Sequence, residues 1–256
     1  MKASGFFQLI LTKTKLNLRA EARQSYLNYL WWLLEPALFV ALFYVVFCVF
    51  LGNGTSTFLI FLLCGQIPFM WFARTVGNCS ASIEQGKGLM QQIRIPKLFF
   101  PLVTVCQEAI KSICVFILFF TFLFFCNDNV TFHWLSLPVL VFVQLFFNMA
   151  IAIVGAMIVP FIPDFKFLIN TFVQMIMFAS GVFFNYKEVL LSEHHDLFML
   201  NPMANIITQY RLIVMENEWP DFYALGYIFI FSLLLILVAT LFMKKIDCLY
   251  PKVLAE

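Results

Sequence analysis

The residues of this chain that could carry chemistry are few, and the clearest group is a pair of histidines. His194 and His195 stand between Glu193 and Asp196, side chains that can bind a metal ion or transfer protons. Neighbouring residues on a helix point about 100° apart, so the two imidazoles cannot easily hold one ion. We interpret the group as a solvated loop, and we predict no catalytic residue and no metal site.

A nucleotide site would need a phosphate-binding loop, and the one Gly-Lys pair, Gly86-Lys87, does not form one. The motif G-x-x-x-x-G-K-[ST] wraps backbone amides around phosphate groups. Here Ala81 stands at the position of the first glycine and Gly88 at that of the hydroxyl residue. We therefore expect the chain to bind no ATP by this device.

Charged residues within apolar stretches need a reason, because a charge at the centre of a bilayer costs roughly 2.5–3.5 kcal/mol. Glu35 directly precedes Pro36, while Glu108 and Lys111 are spaced i, i+3 and can pair on a helix. Two interpretations stay open. The residues line an aqueous or sugar-filled path, or Glu108 and Lys111 neutralise each other near the inner interface.

Aromatic residues recur at helical spacing in two apolar stretches. Flat apolar rings can stack on sugar rings without trapping a moving chain, although aromatic residues also face lipid or pack in cores. The candidate channel residues are Trp32, Phe39, Phe43, Phe47, Phe165, Phe172 and Phe183.

The composition identifies lipid as the main solvent of the chain. Of 256 residues, 62% are hydrophobic and 12% are charged, whereas soluble domains have roughly 45–50% and about 25%. The net charge of +2 provides no field that would attract a nucleic acid. These values exclude a soluble globular enzyme, a disordered chain and a nucleic-acid binder.

Six stretches are long and apolar enough to approach the roughly 20 residues that a membrane-spanning helix needs. They run from about Leu30 to Leu51, Phe58 to Val76, Leu98 to Phe125, Leu137 to Phe161, Phe165 to Phe184 and Phe222 to Met243. Thirteen lysine and arginine residues fall on one side of these spans and two on the other. The bias predicts an even number of spans with both termini in the cytoplasm.

Three segments outside these spans have their own patterns. Residues 1–29 carry an apolar face, with Phe7, Ile10, Leu11, Leu18 and Ala22, beside a basic row of Lys15, Arg19 and Arg23. This pattern is equally typical of an interfacial helix and of a plain basic anchor. Ala81–Lys97 suits a short helix that docks on a cytoplasmic partner. Asn185–Asp221 predicts two short helices broken at Asn201-Pro202.

Several motifs, in order along the chain, resemble the ABC-2 type permeases of bacterial polysaccharide export, which move O-antigen, capsule or teichoic acid. The first is the run from Arg23 to Trp31 followed by Pro36, and the second is Gly65-x-x-Pro68 with Phe72. The remaining ones are Gly88-Leu89, Ile95-Pro96-Lys97 through Pro101, Asp164, Ser180-Gly181-Val182, and Asn201-Pro202 with Arg211.

The resemblance implies a single all-α integral membrane domain over residues 1–256. It would have six transmembrane helices, an N-terminal amphipathic helix (1–29), a cytoplasmic coupling helix (81–97) and outer re-entrant gate helices (185–221). Two copies would form a central channel in the bacterial inner membrane. Two copies of a separate ATPase subunit would bind the ATP and Mg²⁺, and the substrate would be an undecaprenyl-linked polysaccharide.

The resemblance also implies roles for individual residues. Lys15, Arg19 and Arg23 would bind the lipid diphosphate, and Asn201, Pro202 and Arg211 would belong to the outer gate. The ATPase-coupling candidates are Glu84, Gln85, Leu89, Arg94, Pro96 and Lys97. The alternative functions are an ABC-2 exporter of a drug or small lipid, a membrane-embedded glycolipid-modifying enzyme, and a plain membrane anchor.

Overall fold

The computed structural model describes residues 3–24, 30–50, 56–93, 95–126, 131–189 and 191–253. Every secondary-structure element in these ranges is a helix. The α-helices are α1 Ala3–Gln24, α2 Trp31–Tyr44, α3 Ser56–Ser80, α4 Ser82–Gln85, α5 Lys87–Gln92, α6 Phe99–Cys126, α7 Leu137–Ile158, α8 Phe165–Ala179, α9 Tyr186–Val189, α10 His195–Met199, α11 Pro202–Arg211, α12 Phe222–Ile246 and α13 Tyr250–Val253. Shorter 3₁₀ turns precede α7 and α10, and π-helical turns follow α2 and α11.

Four helices in the described ranges are long and apolar enough to cross a membrane. They are Thr57–Ser80, Phe99–Phe124, Phe132–Ile158 and Phe222–Ile246, and they coincide with the predicted second, third, fourth and sixth spans. The prediction of an all-helical, multi-pass membrane protein is therefore confirmed, whereas the six-span topology stays a prediction.

The helix at the predicted fifth span is shorter than predicted. The helix α8 has 15 residues and ends at Ala179, which at 1.5 Å per residue gives about 22 Å against a hydrocarbon core of about 30 Å. The chain turns at Ser180, and Gly181 adopts a φ of +66°, the left-handed conformation that commonly ends helices. Hydrophobicity alone did not reveal this stop, because apolar residues continue on both sides of it.

The predicted first span is also divided. The 14-residue helix α2 is followed by a six-residue π-helical turn, Val45–Phe50. The span therefore consists of two helical types over its 20 residues.

The N-terminal helix α1 packs on α6 through one face. Ile10, Thr14, Leu18 and Ala22, spaced four residues apart, are buried, and the Thr14 hydroxyl lies 3.5 Å from the Val103 carbonyl oxygen. The predicted apolar face thus splits, because Ile10, Leu18 and Ala22 pack on protein while Phe7 and Leu11 are exposed.

The core of the bundle surrounds α3, the most enclosed of the four long helices. Its apolar residues pack with those of α6, α7, α8, α11 and α12 in one large cluster. Phe72 of α3, for example, stacks on Phe147 of α7 with ring centroids 5.6 Å apart. By contrast, α12 presents most of its apolar surface outward, as expected of a helix that faces lipid.

Candidate functional site

A row of polar residues lies along α8, a helix that is otherwise mainly apolar. Lys166, Asn170 and Gln174 are spaced four residues apart and so share one face. Lys166 is half-buried, and both amides are exposed. On the neighbouring face of α8, Ile169 and Val173 are buried against the bundle.

This polar row has a direct physical consequence. Exposed amide groups in hydrocarbon lack hydrogen-bond partners, and each unsatisfied polar group costs several kcal/mol there. The face that carries Asn170 and Gln174 therefore suits contact with water or another polypeptide better than contact with lipid. A role for these residues was not predicted, although the i, i+4, i+8 spacing of polar residues is visible in the sequence.

The predicted channel aromatics that the structure describes differ in their surroundings. Phe39 and Phe172 are exposed, whereas Phe165 packs against the core cluster. Phe183 follows the end of α8, and Trp32 lies with its ring centroid 5.6 Å from Lys111 Nζ on α6. The side chains of Phe43 and Phe47 lie outside the part of the chain that the structure describes.

The segment 185–221, called the outer segment below, is divided where the sequence predicts, at Asn201-Pro202. The side chain of Asn201 caps α11 by accepting a hydrogen bond from the Met203 backbone amide at 3.0 Å, and Pro202 occupies the first turn. The amide nitrogen of Asn201 also donates to Ser180 Oγ at 3.0 Å. The N-terminus of α11 is thus fastened to the turn that ends α8.

Arg211 fastens the other end of α11 to the same turn. Its guanidinium donates to the carbonyl oxygens of Gly181 at 2.8 Å and Val182 at 2.9 Å, and lies 3.5 Å from the centroid of the Phe61 ring. Arg211 is buried, so these backbone carbonyls satisfy a charge that water does not reach. This residue was predicted to belong to the outer gate, and the structure places it as a connection between α11, α8 and α3.

A buried polar chain adds a second connection to α3. Tyr210 donates its hydroxyl to Gln144 Oε1 at 2.9 Å, and Gln144 Nε2 donates to the Pro68 carbonyl oxygen at 2.8 Å. Gln144 and Tyr210 are fully buried, so this network joins α11 to α7 and α3 within the core. The outer helix α11 is therefore built into the bundle.

A cavity of about 520 Å³ separates α1 from residues 81–97, called the inner segment below. Its walls come from α1, the end of α3, α4, α5 and α6. The polar lining residues are Lys13, Asn17, Glu21, Asn78, Ser82, Gln85, Thr104, Gln107, Glu108 and Lys111. Such a lining is suited to water or to another polar group.

The predicted pairing of Glu108 with Lys111 is confirmed and extends further. Lys111 Nζ donates to Glu108 Oε1 at 3.1 Å and to Glu21 Oε1 of α1 at 2.7 Å. Asn78 of α3 donates to Glu108 Oε1 at 3.0 Å. The third charge of the sequence analysis is also paired, because Glu35 Oε2 lies 2.9 Å from Arg74 Nη2.

The inner segment, 81–97, contains two short helices where the sequence predicts one. Ile83 of α4 is fully buried, whereas α5 has no buried residue, so the first half packs into the bundle and the second half is presented outward. Among the coupling candidates, Gln85 and Pro96 are exposed.

The other coupling candidates are less accessible. Glu84 and Leu89 are half-buried, and Arg94 lies outside the described residues. Lys97 is buried, with Nζ 3.1 Å from the Ile95 carbonyl oxygen and 3.9 Å from Asp247 Oδ2. Lys97 therefore connects the inner segment to the C-terminal end of α12.

The basic candidates on α1 lie in one row, as the sequence predicts. Lys15, Arg19 and Arg23 are all exposed, on a face next to the one that packs on α6. The histidine pair is divided, because His194 is exposed while His195 packs edge-on against Tyr186 with ring centroids 5.1 Å apart.

Comparison with known proteins identifies relatives of the chain, although no protein-family profile matches it. The O-antigen export system permease protein RfbA of Myxococcus xanthus is 25% identical over 218 residues, which cover 83% of this chain and 82% of the relative. A protein of the same name from Klebsiella pneumoniae is 21% identical over 97% of this chain and 95% of its own length. The polysialic acid transport protein KpsM of Escherichia coli is 21% identical over 93% and 94%.

The chain is similar to polysaccharide-export permeases along most of its length. The resemblance predicted from its motifs is thereby confirmed. The similarity to permeases agrees with the four helices that are long and apolar enough to cross a membrane. The Klebsiella relative covers 97% of the chain. This part includes α8, the turn that ends it at Ser180 and Gly181, and the segment 81–97.

Proposed function

We propose that this chain is the permease subunit of an ATP-driven ABC exporter that moves a lipid-linked polysaccharide, an O-antigen-like glycan, across the inner membrane. The observation that carries the proposal is similarity over most of the chain to permeases whose names state O-antigen export and polysialic acid transport. Because the similarity covers most of the relatives as well, it concerns a whole permease and not one shared helix.

The channel in this proposal forms between two copies of the chain. The polar row of α8 supports this arrangement, since Asn170 and Gln174 need a partner surface or water in place of lipid. The exposed ring of Phe172 would provide an apolar surface over which sugar rings can slide. The outer segment, 185–221, would close the channel as a gate, with Asn201, Pro202 and Arg211 holding α11 against the end of α8.

Energy would come from two copies of a cytoplasmic ATPase subunit, which bind the ATP and Mg²⁺. The outward-facing helix α5 and the exposed Gln85 are the surface proposed to contact this subunit. The assignment requires both termini to be cytoplasmic in a six-span topology, as the distribution of lysine and arginine indicates.

At the membrane surface, Lys15, Arg19 and Arg23 would bind the diphosphate of the lipid-linked glycan. Cationic side chains near the inner leaflet attract anionic headgroups by about 1 kcal/mol each. Their exposed row on α1 supports this role, because none of the three is used in packing.

Labelling of the inner segment tests the arrangement directly. A cysteine introduced as Lys87→Cys in a cysteine-free background should react with a membrane-impermeant reagent in inverted vesicles but not in right-side-out vesicles. Tyr223→Cys, at the opposite end of α12 from Lys245, is the matched control and should show the reverse pattern. Labelling of Lys87→Cys from outside would contradict the proposal, because no ATPase could bind there.

A further inference from the structure

A buried charged cluster joins four helices next to the inner segment. Lys111 on α6 contacts Glu21 of α1 and Glu108 of its own helix, and its Nζ lies 5.6 Å from the Trp32 ring centroid of α2. Asn78 of α3 completes the cluster by donating to Glu108. Asn78 lies two residues before the end of α3, where the inner segment begins.

The charges of this cluster lose hydration free energy because they are buried, so stability alone does not explain the cluster. Glu108 is 3% exposed and Lys111 8%. Replacing a buried ion pair by apolar residues of similar volume is often neutral or stabilising, because both charges lose their hydration on folding. By contrast, removing one partner leaves an uncompensated charge. The pair is therefore better explained by what it positions than by the stability it provides.

The cavity next to the cluster shows where such positioning is needed. Between α1 and the short helix α4 there is a polar space of about 520 Å³, lined by Asn17 and Glu21 on one side and Ser82 and Gln85 on the other. The two segments are thus separated there by open space. The charged cluster at the edge of this cavity connects them through Asn78, Glu108, Lys111 and Glu21.

We propose that Lys111 is a positioning residue that transmits movement of the inner segment to α1 and α2 during transport. The inference rests on the proposed function, since it needs an ATPase that acts on the inner segment. Movement of α4 displaces the end of α3, and the hydrogen bond from Asn78 carries the displacement to Glu108. Lys111 then passes it to Glu21 on α1 and, through its charge, to Trp32 on α2.

The test separates positioning from stability by removing both buried charges together. In the double variant Glu108→Gln/Lys111→Met no unpaired buried charge is left, so it should accumulate and assemble with the ATPase as the unmodified chain does. In inverted vesicles we expect ATP hydrolysis to continue while glycan export falls by about 5-fold or more, within the usual range of coupling between sites. The ratio of glycan exported to ATP hydrolysed is the readout that a purely structural role would not lower.

Two further variants complete the experiment. Glu21→Gln removes only the charge of the connection to α1, at a carboxylate whose side chain is 44% exposed, so it should fold normally and lower the same ratio. Lys245→Met, which removes an exposed lysine at the end of α12, is the matched control and should leave the ratio unchanged.

The outcomes distinguish a positioning role of the cluster from a role in stability. Export by both Glu21→Gln and the double variant at the unmodified ratio would overturn the inference and leave the proposed function standing. Loss of accumulation in the double variant, together with a normal ratio in Glu21→Gln, would also overturn it, because the cluster would then act through stability. No ATP-dependent export by the unmodified chain would remove the proposed function and the inference with it.

Discussion

Arg211 of α11 packs against Gly65 of α3 so closely that a Cβ atom at Gly65 would force its neighbours to shift. A Cβ atom added at Gly65 would lie 2.9 Å from Arg211 Nη2 and 3.0 Å from the Val182 carbonyl oxygen. Both of these groups belong to the connection that fastens the outer helix α11 to the end of α8. The position of the outer segment therefore depends on a close approach within the bundle.

Substitution of Gly65 should loosen this connection. We expect Gly65→Ala to destabilise the protein by about 1–3 kcal/mol, since the added methyl group must displace the guanidinium or the backbone turn. The Tm in detergent should fall accordingly. Gly226→Ala is the matched control, because a Cβ at this helical position meets no atom within 4 Å, and alanine there should stabilise by up to about 1 kcal/mol. Equal effects of the two substitutions would contradict the close approach.

The polar row of α8 should matter for transport and not for folding. Asn170 and Gln174 are exposed, so Asn170→Leu/Gln174→Leu should change stability by no more than about 0.5 kcal/mol for each site. Export should nevertheless fall, because an apolar row no longer solvates the transported glycan. Phe167→Leu/Met175→Leu changes two exposed apolar residues of the same helix and should export normally. Normal export by the first double variant would place this row outside the channel.

The exposed basic row on α1 gives a prediction about substrate binding. Charge reversal in the triple variant Lys15→Glu/Arg19→Glu/Arg23→Glu should abolish export, because the anionic headgroup would be repelled. Assembly of the permease with itself and with the ATPase should persist, since none of these residues is buried. Lys15→Arg/Arg19→Lys/Arg23→Lys keeps the charge and serves as the control. Unchanged export after charge reversal, measured as surface polymer, would exclude the row from the binding site.

The C-terminal segment should detach at high pH. Tyr250 of α13 is buried, with its hydroxyl 3.3 Å from the Met157 carbonyl oxygen and its ring centroid 5.0 Å from that of Phe161. Burial raises the pKa of the Tyr250 hydroxyl above its usual value of 10.0. The stabilisation is therefore complete below pH 10 and is lost as the pH rises toward the folded-state pKa, because the detached tyrosine ionises first.

Hydrogen exchange of α13 measured between pH 8 and pH 11 checks this prediction. Protection of α13 should fall above about pH 10, the usual pKa of a free tyrosine. Tyr250→Phe removes the titrating group and should lose about 1 kcal/mol at neutral pH while abolishing the additional pH dependence. Persistence of that dependence in Tyr250→Phe would assign it to another group.

The four long spans could be predicted from the sequence because hydrophobicity and length suffice when a helix crosses lipid. The break at Asn201-Pro202 was also visible, since a capping residue followed by proline marks a helix start. The end of α8 was not foreseen, because the apolar run continues through Gly181 and only the backbone conformation there stops the helix.

The candidate site was less accessible to sequence reasoning. The pairing of Glu108 with Lys111 follows from their spacing on one helix. Their contacts with Glu21 and Asn78 join residues about 90 and 30 positions apart, which no local pattern reveals. The role of the aromatic stripes stays a prediction, because spacing identifies a shared face but not what that face contacts. Trp32, which lies against Lys111, shows the difference.

The most direct measurement of the central claim is the location of polymer after the chain is depleted from its own cell. We expect lipid-linked polysaccharide to accumulate on the cytoplasmic side of the inner membrane while surface polymer declines, and both should recover when the unmodified chain is restored. A cell that keeps normal surface polymer and forms no internal pool would contradict the assignment of this chain as an export permease.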